Sequence, residues 1–161
     1  MVEEDPLKWE TEPSENFLPE HLLYRAIPKT LWELWADINK IEPNFFMIKE
    51  KEKGLSVDWS KYAMPIDTLE RSTKPDLTFN GILQMNIGKL RDLILRYNLP
   101  IEIEHNPIRS PIKTSYRIIQ INRAHSLLIG VHRQNRATMR RRLYKIAEWA
   151  ANMKPKTENK K

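Results

Sequence analysis

The chain has no cysteine, only four glycines among 161 residues, and no long apolar run. Each absence excludes something. Without cysteine there is no disulfide framework, no thiolate nucleophile and no thiolate metal site. So few glycines leave no room for a glycine-rich phosphate loop, and no such motif occurs. No apolar stretch approaches the ~18 residues of a membrane-spanning helix. The first residues are acidic and lack an apolar core, unlike a secretory signal. The expectation from these absences is a cytoplasmic protein with no membrane association, no metal and no cofactor.

What the chain does contain is an ordinary globular balance. Hydrophobic residues make up 40% and charged residues 30%, so a packed core is expected rather than disorder. The length suits one domain. Net charge is +6, and it is unevenly placed. Residues 1–24 hold one Lys and seven Asp/Glu, 1 − 7 = −6, whereas residues 131–161 hold ten Lys/Arg and two Glu, 10 − 2 = +8. An acidic arm and a basic end follow from this asymmetry. A basic surface of this kind fits a polyanion such as RNA or DNA, or an acidic protein surface. Against that stands the simpler reading that the two ends neutralise each other.

Residues 1–16 are polar and punctuated by proline, the composition of a flexible arm. The tail 154–161 is basic and reads as disordered. Between them lies a folded part over 17–153. Leu22–Ile27 reads as a strand. Leu31, Leu34, Trp35 and Ile38 fall on one helical face behind a capping box at Thr30 and Glu33. Phe45–Ile48 fits a short strand. Leu55–Ser60 alternates apolar and polar residues, the period of a half-buried strand. Pro65 suits the first turn of a short helix through Glu70. Gly81–Ile87 is a third strand, and Asn86 can cap a helix running to Tyr97. Asn98-Leu99-Pro100 stops that helix, and Ile101–His105 resumes alternation. Arg117–Val131 is the longest strand-like stretch. The apolar face formed by Met139, Leu143, Ile146, Ala147, Ala150 and Met153 predicts a long basic helix over 135–153. The expected fold is therefore one α+β domain, a small mixed or antiparallel sheet with helices on one face.

Two groups of residues carry possible chemistry. Arg133 and Arg136 start the basic helix, and Arg140, Arg141 and Arg142 follow one turn in. Cations there oppose the helix dipole, so an anion is expected beside them, either a carboxylate of the arm or a phosphate of a nucleic acid. The second group is Arg25, Asp58, His105 and His125. Histidine is the natural acid or base near neutral pH. Two histidines could cleave a phosphodiester while Arg123 or Arg25 stabilises charge, with Asp58 orienting a histidine or pairing with Arg25. Equally, each histidine could satisfy a buried hydrogen bond. No carboxylate stands at ligand spacing beside them, which argues against zinc.

Two resemblances bear on these residues. Arg25 in the first strand, then a helix, then Gly54-Leu55-Ser56 opening a second strand, resembles the order in ADP-ribosyltransferase-like folds. There an early Arg or His grips a dinucleotide and a serine strand supports it, and a late glutamate often completes the site. The resemblance covers about a third of the chain. Glu104 and Glu148 are poor counterparts of that glutamate. Over 22–150 the ordered set Tyr24-Arg25-Ala26-Ile27, Leu55-Ser56-Val57-Asp58, His105-Asn106-Pro107 and Arg123-Ala124-His125 also resembles a widespread family of small uncharacterised microbial proteins. That family has an arginine strand, an LSVD-like box and an "AH" box, and no established activity. It implies no mechanism, but it singles out Arg25, Asp58, His105 and His125.

Overall fold

The computed structural model describes residues 4–27, 53–72, 81–113, 118–131 and 136–150. The helix and strand expected between Thr30 and Ile48, Arg133 and the basic tail lie outside the described residues.

Among the described residues, eight strands and three α-helices follow in order: β1 Leu22–Ile27, β2 Gly54–Trp59, α1 Pro65–Ser72, β3 Gly81–Asn86, α2 Ile87–Tyr97, β4 Glu102–His105, β5 Ile112–Lys113, β6 Ile118–Ile119, β7 His125–Ile129, α3 Arg136–Tyr144 and β8 Ala147–Trp149. Six strands form one sheet, ordered β4-β7-β2-β1-β3-β8. Each neighbouring pair in it is antiparallel. The architecture is α+β, as composition and patterning imply.

Strand alternation sets the two faces. Leu23 and Ile27 of β1, Leu55, Val57 and Trp59 of β2, Leu83 and Met85 of β3 and Ile103 of β4 point into the main core. Ile87 and Leu90 of α2 and Met139 and Leu143 of α3 close it. The other face carries a smaller cluster of Tyr24, Ile82 and Ala150, against which Leu69 of α1 packs. Helices therefore cover both faces rather than one. α1 goes to the second face because Tyr24 and Ile82 offer it apolar surface there.

The caps of α2 are local chemistry. The Asn86 side chain accepts from the Lys89 N–H, satisfying an orphan donor of the first turn. Asn98 ends the helix in the left-handed region at φ 48°, a conformation asparagine tolerates.

The long basic helix is not formed. α3 stops at Tyr144, and Ala147–Trp149 turns into an edge strand on β3. Its register is Leu83↔Trp149, Gln84↔Glu148 and Met85↔Ala147. Pairing satisfies the outer backbone groups of β3, which a continued helix would leave unbonded. Residues of the expected helix face serve both readings: Ala147 packs on the main core, with Trp149 beside it, while Ala150 joins the other cluster. The expected long strand 117–131 also shortens. The chain bends through residues 120–124, held by an isolated bridge between Ile108 and Asn122, and β7 begins only at His125.

One feature of the sheet is unequal pairing at its centre. β1 pairs with β3 along all six residues, Leu22↔Asn86 to Ile27↔Gly81. β2 likewise pairs with β7 from Gly54 to Asp58. Yet β1 and β2 share only Leu23↔Trp59 and Tyr24↔Asp58. The sheet is thus two three-stranded halves, joined at one end and forked at the other.

Candidate functional site

The four residues singled out by sequence do not meet at one point. Tyr24, Asp58 and His125 lie opposite one another across β1, β2 and β7, so they share a face. His105 lies opposite Ser126 on β4, in the row of Ile103, and points to the other face. Arg25 alternates with Leu23 and Ile27 on that other face too, but next to the fork.

Asp58 has a structural role. It is 7% exposed, and three donors surround its carboxylate. Thr68 Oγ1 and Arg71 Nη2 each lie 2.7 Å from Oδ2, and Asn122 Nδ2 lies 2.8 Å from Oδ1. Asn122 in turn accepts from the Ala124 N–H at 3.0 Å. The carboxylate therefore ties α1 and the bend at 122–124 to the middle of the sheet. Asp58 pairs with Arg71 rather than with Arg25.

His105 sits in an aromatic cluster. Its ring centroid is 5.3 Å from that of Trp59 and 5.8 Å from that of Tyr62. Phe17 stacks on Trp59 at 3.9 Å, and Trp59 Nε1–H donates to His21 Nδ1 at 3.0 Å. His105 Nδ1 accepts from the Glu12 N–H at 2.9 Å, and Nε2 lies 2.7 Å from the Arg123 carbonyl. A carbonyl only accepts, so Nε2 carries the proton and Nδ1 does not. A second proton on Nδ1 would point at the Glu12 N–H. Burial pushes the His105 pKa below its ordinary value, although the Arg123 carbonyl acts the other way.

A pH dependence follows. The unfolded chain takes up a proton near pH 6.5, while the folded state resists it. The unfolded state then binds more protons, so stability is full above that pH and falls as pH drops below it. Denaturant midpoints measured from pH 7.5 to about 5 are expected to fall on the acid side. In His105→Gln that dependence should flatten. An unchanged slope in the variant would show that His105 is not its source.

Glu12 is the residue that sequence reasoning passed over. It was one acid among many in a presumed arm. In the structure its carboxylate accepts from Lys61, from the Tyr62 hydroxyl and from Asn16. Burial alone would raise its pKa, but these hydrogen bonds outweigh it and the pKa is lowered. The neighbouring segment is also held down. Arg109 donates to the Trp9 carbonyl at 2.9 Å and to Thr11 Oγ1 at 2.8 Å, and Arg123 pairs with Glu4 at 3.1 Å. Apart from Glu12–Asn16, no sequence pattern marks these contacts, because each links residues about fifty or about a hundred positions apart.

The fork is where polar side chains meet solvent. Ser56 is exposed, while its strand neighbours Leu55, Val57, Asp58 and Trp59 are buried. Its Oγ is 3.3 Å from His125 Nε2, and His125 Nδ1 is 2.7 Å from the Asn106 carbonyl. By the same argument as above, Nδ1 carries the proton and donates to Asn106. Nε2 faces the Ser56 hydroxyl. Arg25 Nη1 donates to the Ser56 carbonyl at 3.0 Å, an acceptor that the broken β1–β2 ladder does not pair. Arg25 and His125 thus both bond to Ser56 from the two flanking strands, Arg25 to its carbonyl and His125 to its hydroxyl on the opposite face. Sequence reasoning named Arg25 and His125 but gave Ser56 only a supporting place.

The basic helix differs from expectation in one consequential way. Because α3 ends at Tyr144, Arg141 and Arg142 stand in its last turn. There they favour the dipole instead of opposing it, so the dipole creates no need for an anion at these two residues. Of Arg136 and Arg140 only the backbone is described. Among the described residues, no group of His, Asp and Glu is arranged to hold a metal ion, and no helix is long and apolar enough to cross a membrane. Comparison with protein-family models, with curated proteins and with solved structures finds no match for the chain.

Proposed function

We propose that the fork between β1 and β2 binds a nicotinamide dinucleotide and acts on its glycosidic bond, in the manner of ADP-ribosyltransferase-like enzymes. The observation that carries this reading is that Arg25 and His125 both bond to Ser56 at the place where the sheet divides. It supplies an early arginine, a serine on the adjacent strand and a late acceptor on the strand after that. Glu104 and Glu148 do not fill the third place. Glu104 pairs with Lys53 at 3.0 Å on β4, and Glu148 accepts from Gln84 at 2.8 Å on β8.

In this reading Arg25 brings positive charge to a pyrophosphate. The lone pair of His125 Nε2, held in place by the Asn106 carbonyl, accepts a ribose hydroxyl where Ser56 now sits. A neutral imidazole lacks the negative charge by which a carboxylate stabilises a developing oxocarbenium ion. Binding is therefore expected to outrun turnover. The reading takes the place of the polyanion-binding module as the main function because Arg25 and His125 both bond to Ser56 at the edge of the fork. It also sets aside a two-histidine phosphodiesterase, since His105 is enclosed in the aromatic cluster and shares no bonding partner with His125, whereas Arg25 and His125 both bond to Ser56.

Calorimetric titration with NAD and with ADP-ribose tests it, alongside chromatographic detection of released nicotinamide. The wild-type protein is expected to bind both. Arg25→Ala should weaken binding by about 10- to 100-fold, the size of a lost charge-assisted contact. His125→Ala should remove nicotinamide release while far-ultraviolet circular dichroism stays unchanged. No binding at millimolar dinucleotide, or equal affinity in Arg25→Ala, would sink the proposal.

A further inference from the structure

We infer that the end of α2 and the last turn of α3 form a binding surface for single-stranded nucleic acid, separate from the fork. Its centre is Tyr97. The Arg142 guanidinium lies 3.7 Å from the Tyr97 ring centroid, and that of Arg96 lies 5.6 Å from it. Tyr97 is 38% exposed, and Arg141 and Lys145 are exposed beside α3.

Two observations point to a polyanion as the occupant. First, no described carboxylate pairs with Arg141 or Arg142. Among the described acids of residues 4–24 none pairs with them, Glu4 being engaged with Arg123 and Glu12 with Lys61. Second, the cations cluster round an aromatic ring. A guanidinium laid on a phenol is a flat platform with a positive rim. Bases stack on such platforms without regard to sequence while phosphates follow the charges. An acidic protein surface would use the charge but not the ring. A duplex, whose bases are already stacked, would not use it either.

Fluorescence anisotropy with a labelled oligothymidylate, from about 50 to about 200 mM salt, tests the inference. The protein should bind at low salt and release steeply as salt rises. The double variant Arg141→Gln with Arg142→Gln should flatten the log–log slope by roughly 1.4, about 0.7 for each lost phosphate contact on a single strand. Tyr97→Leu, at an exposed position, should weaken binding about 5- to 150-fold with little change in slope. Arg25→Ala should leave oligonucleotide binding intact, which separates this surface from the fork. Absence of binding at low salt would overturn the inference. So would an unchanged slope in the double variant, a preference for duplex over single strand, or undiminished affinity in Tyr97→Leu. Circular dichroism of each variant excludes misfolding as the cause of a loss.

Discussion

Replacing Trp59 with alanine is expected to destabilise the protein by about 3–5 kcal/mol, the usual cost of removing a large aromatic side chain from a core. Trp59 is 0% exposed and belongs to the main hydrophobic cluster. Its ring meets Phe17, His21, Tyr62 and His105. Alanine would leave a cavity under all four and remove one of the two donors to His21 Nδ1, the Leu18 N–H remaining. It would also loosen the attachment of residues 4–17, since Phe17 stacks directly on the lost ring. Trp59→Phe gives the control. It keeps most of the stacking surface but loses the indole N–H bond to His21, so its cost should be nearer 1 kcal/mol. Urea unfolding at pH 7.5 measures both at a pH where His105 is neutral in folded and unfolded chains. Equal costs for the two variants would mean that the cluster does not pack round Trp59 as described.

The second large effect is expected at Asp58. Asp58→Ala removes the acceptor shared by Thr68, Arg71 and Asn122. Breaking a buried pair by deleting one partner typically costs 3–5 kcal/mol, because the other charge stays behind. The Arg71 side chain is 28% exposed, so it can reach water in part, and a value near ~3 kcal/mol is expected. The conservative change Asp58→Asn should recover some of that loss through its remaining carbonyl. The pair also separates structure from catalysis. If Asp58 holds α1 and the 122–124 bend, dinucleotide affinity should follow folding in Asp58→Asn and recover at low temperature. A folded Asp58→Asn protein that binds but does not react would instead return Asp58 to a chemical role.

Local structure follows from local signals. Asn86 and Asn98 bracket α2 because capping and the left-handed turn depend on one side chain each. Leu55, Val57 and Trp59 announced β2 through strict alternation. What escaped was settled between distant segments. Ala147 and Ala150 lie at helical spacing from Leu143, and only the free edge of β3 turns residues 147–149 into a strand. Glu12 looked like a solvated acid, and its partners Lys61 and Tyr62 are about fifty positions away. The fork is likewise invisible in sequence. It exists because β1 follows β3 while β2 follows β7, a choice made by whole strands. The candidate site was half legible for the same reason. A histidine in an apolar strand attracts notice, whereas a serine at the exposed position of a buried strand looks ordinary. His105 and His125 looked equivalent in the sequence. Alternation then placed one in an aromatic core, held by two backbone partners, and the other beside Ser56.

The central claim is that Arg25, Ser56 and His125 act together at the fork. Nitrogen-15 NMR of the histidine rings tests it most directly, with NAD titrated into the wild-type protein. In the free protein His125 should show the Nδ1–H form, with Nε2 bare. On saturation the His125 Nε2 shift and the Ser56 amide should move together, and His105 should stay still in its own Nε2–H form. The account is contradicted if NAD leaves His125 and Ser56 unmoved, or if the shifts gather round Tyr97 and Arg142 instead.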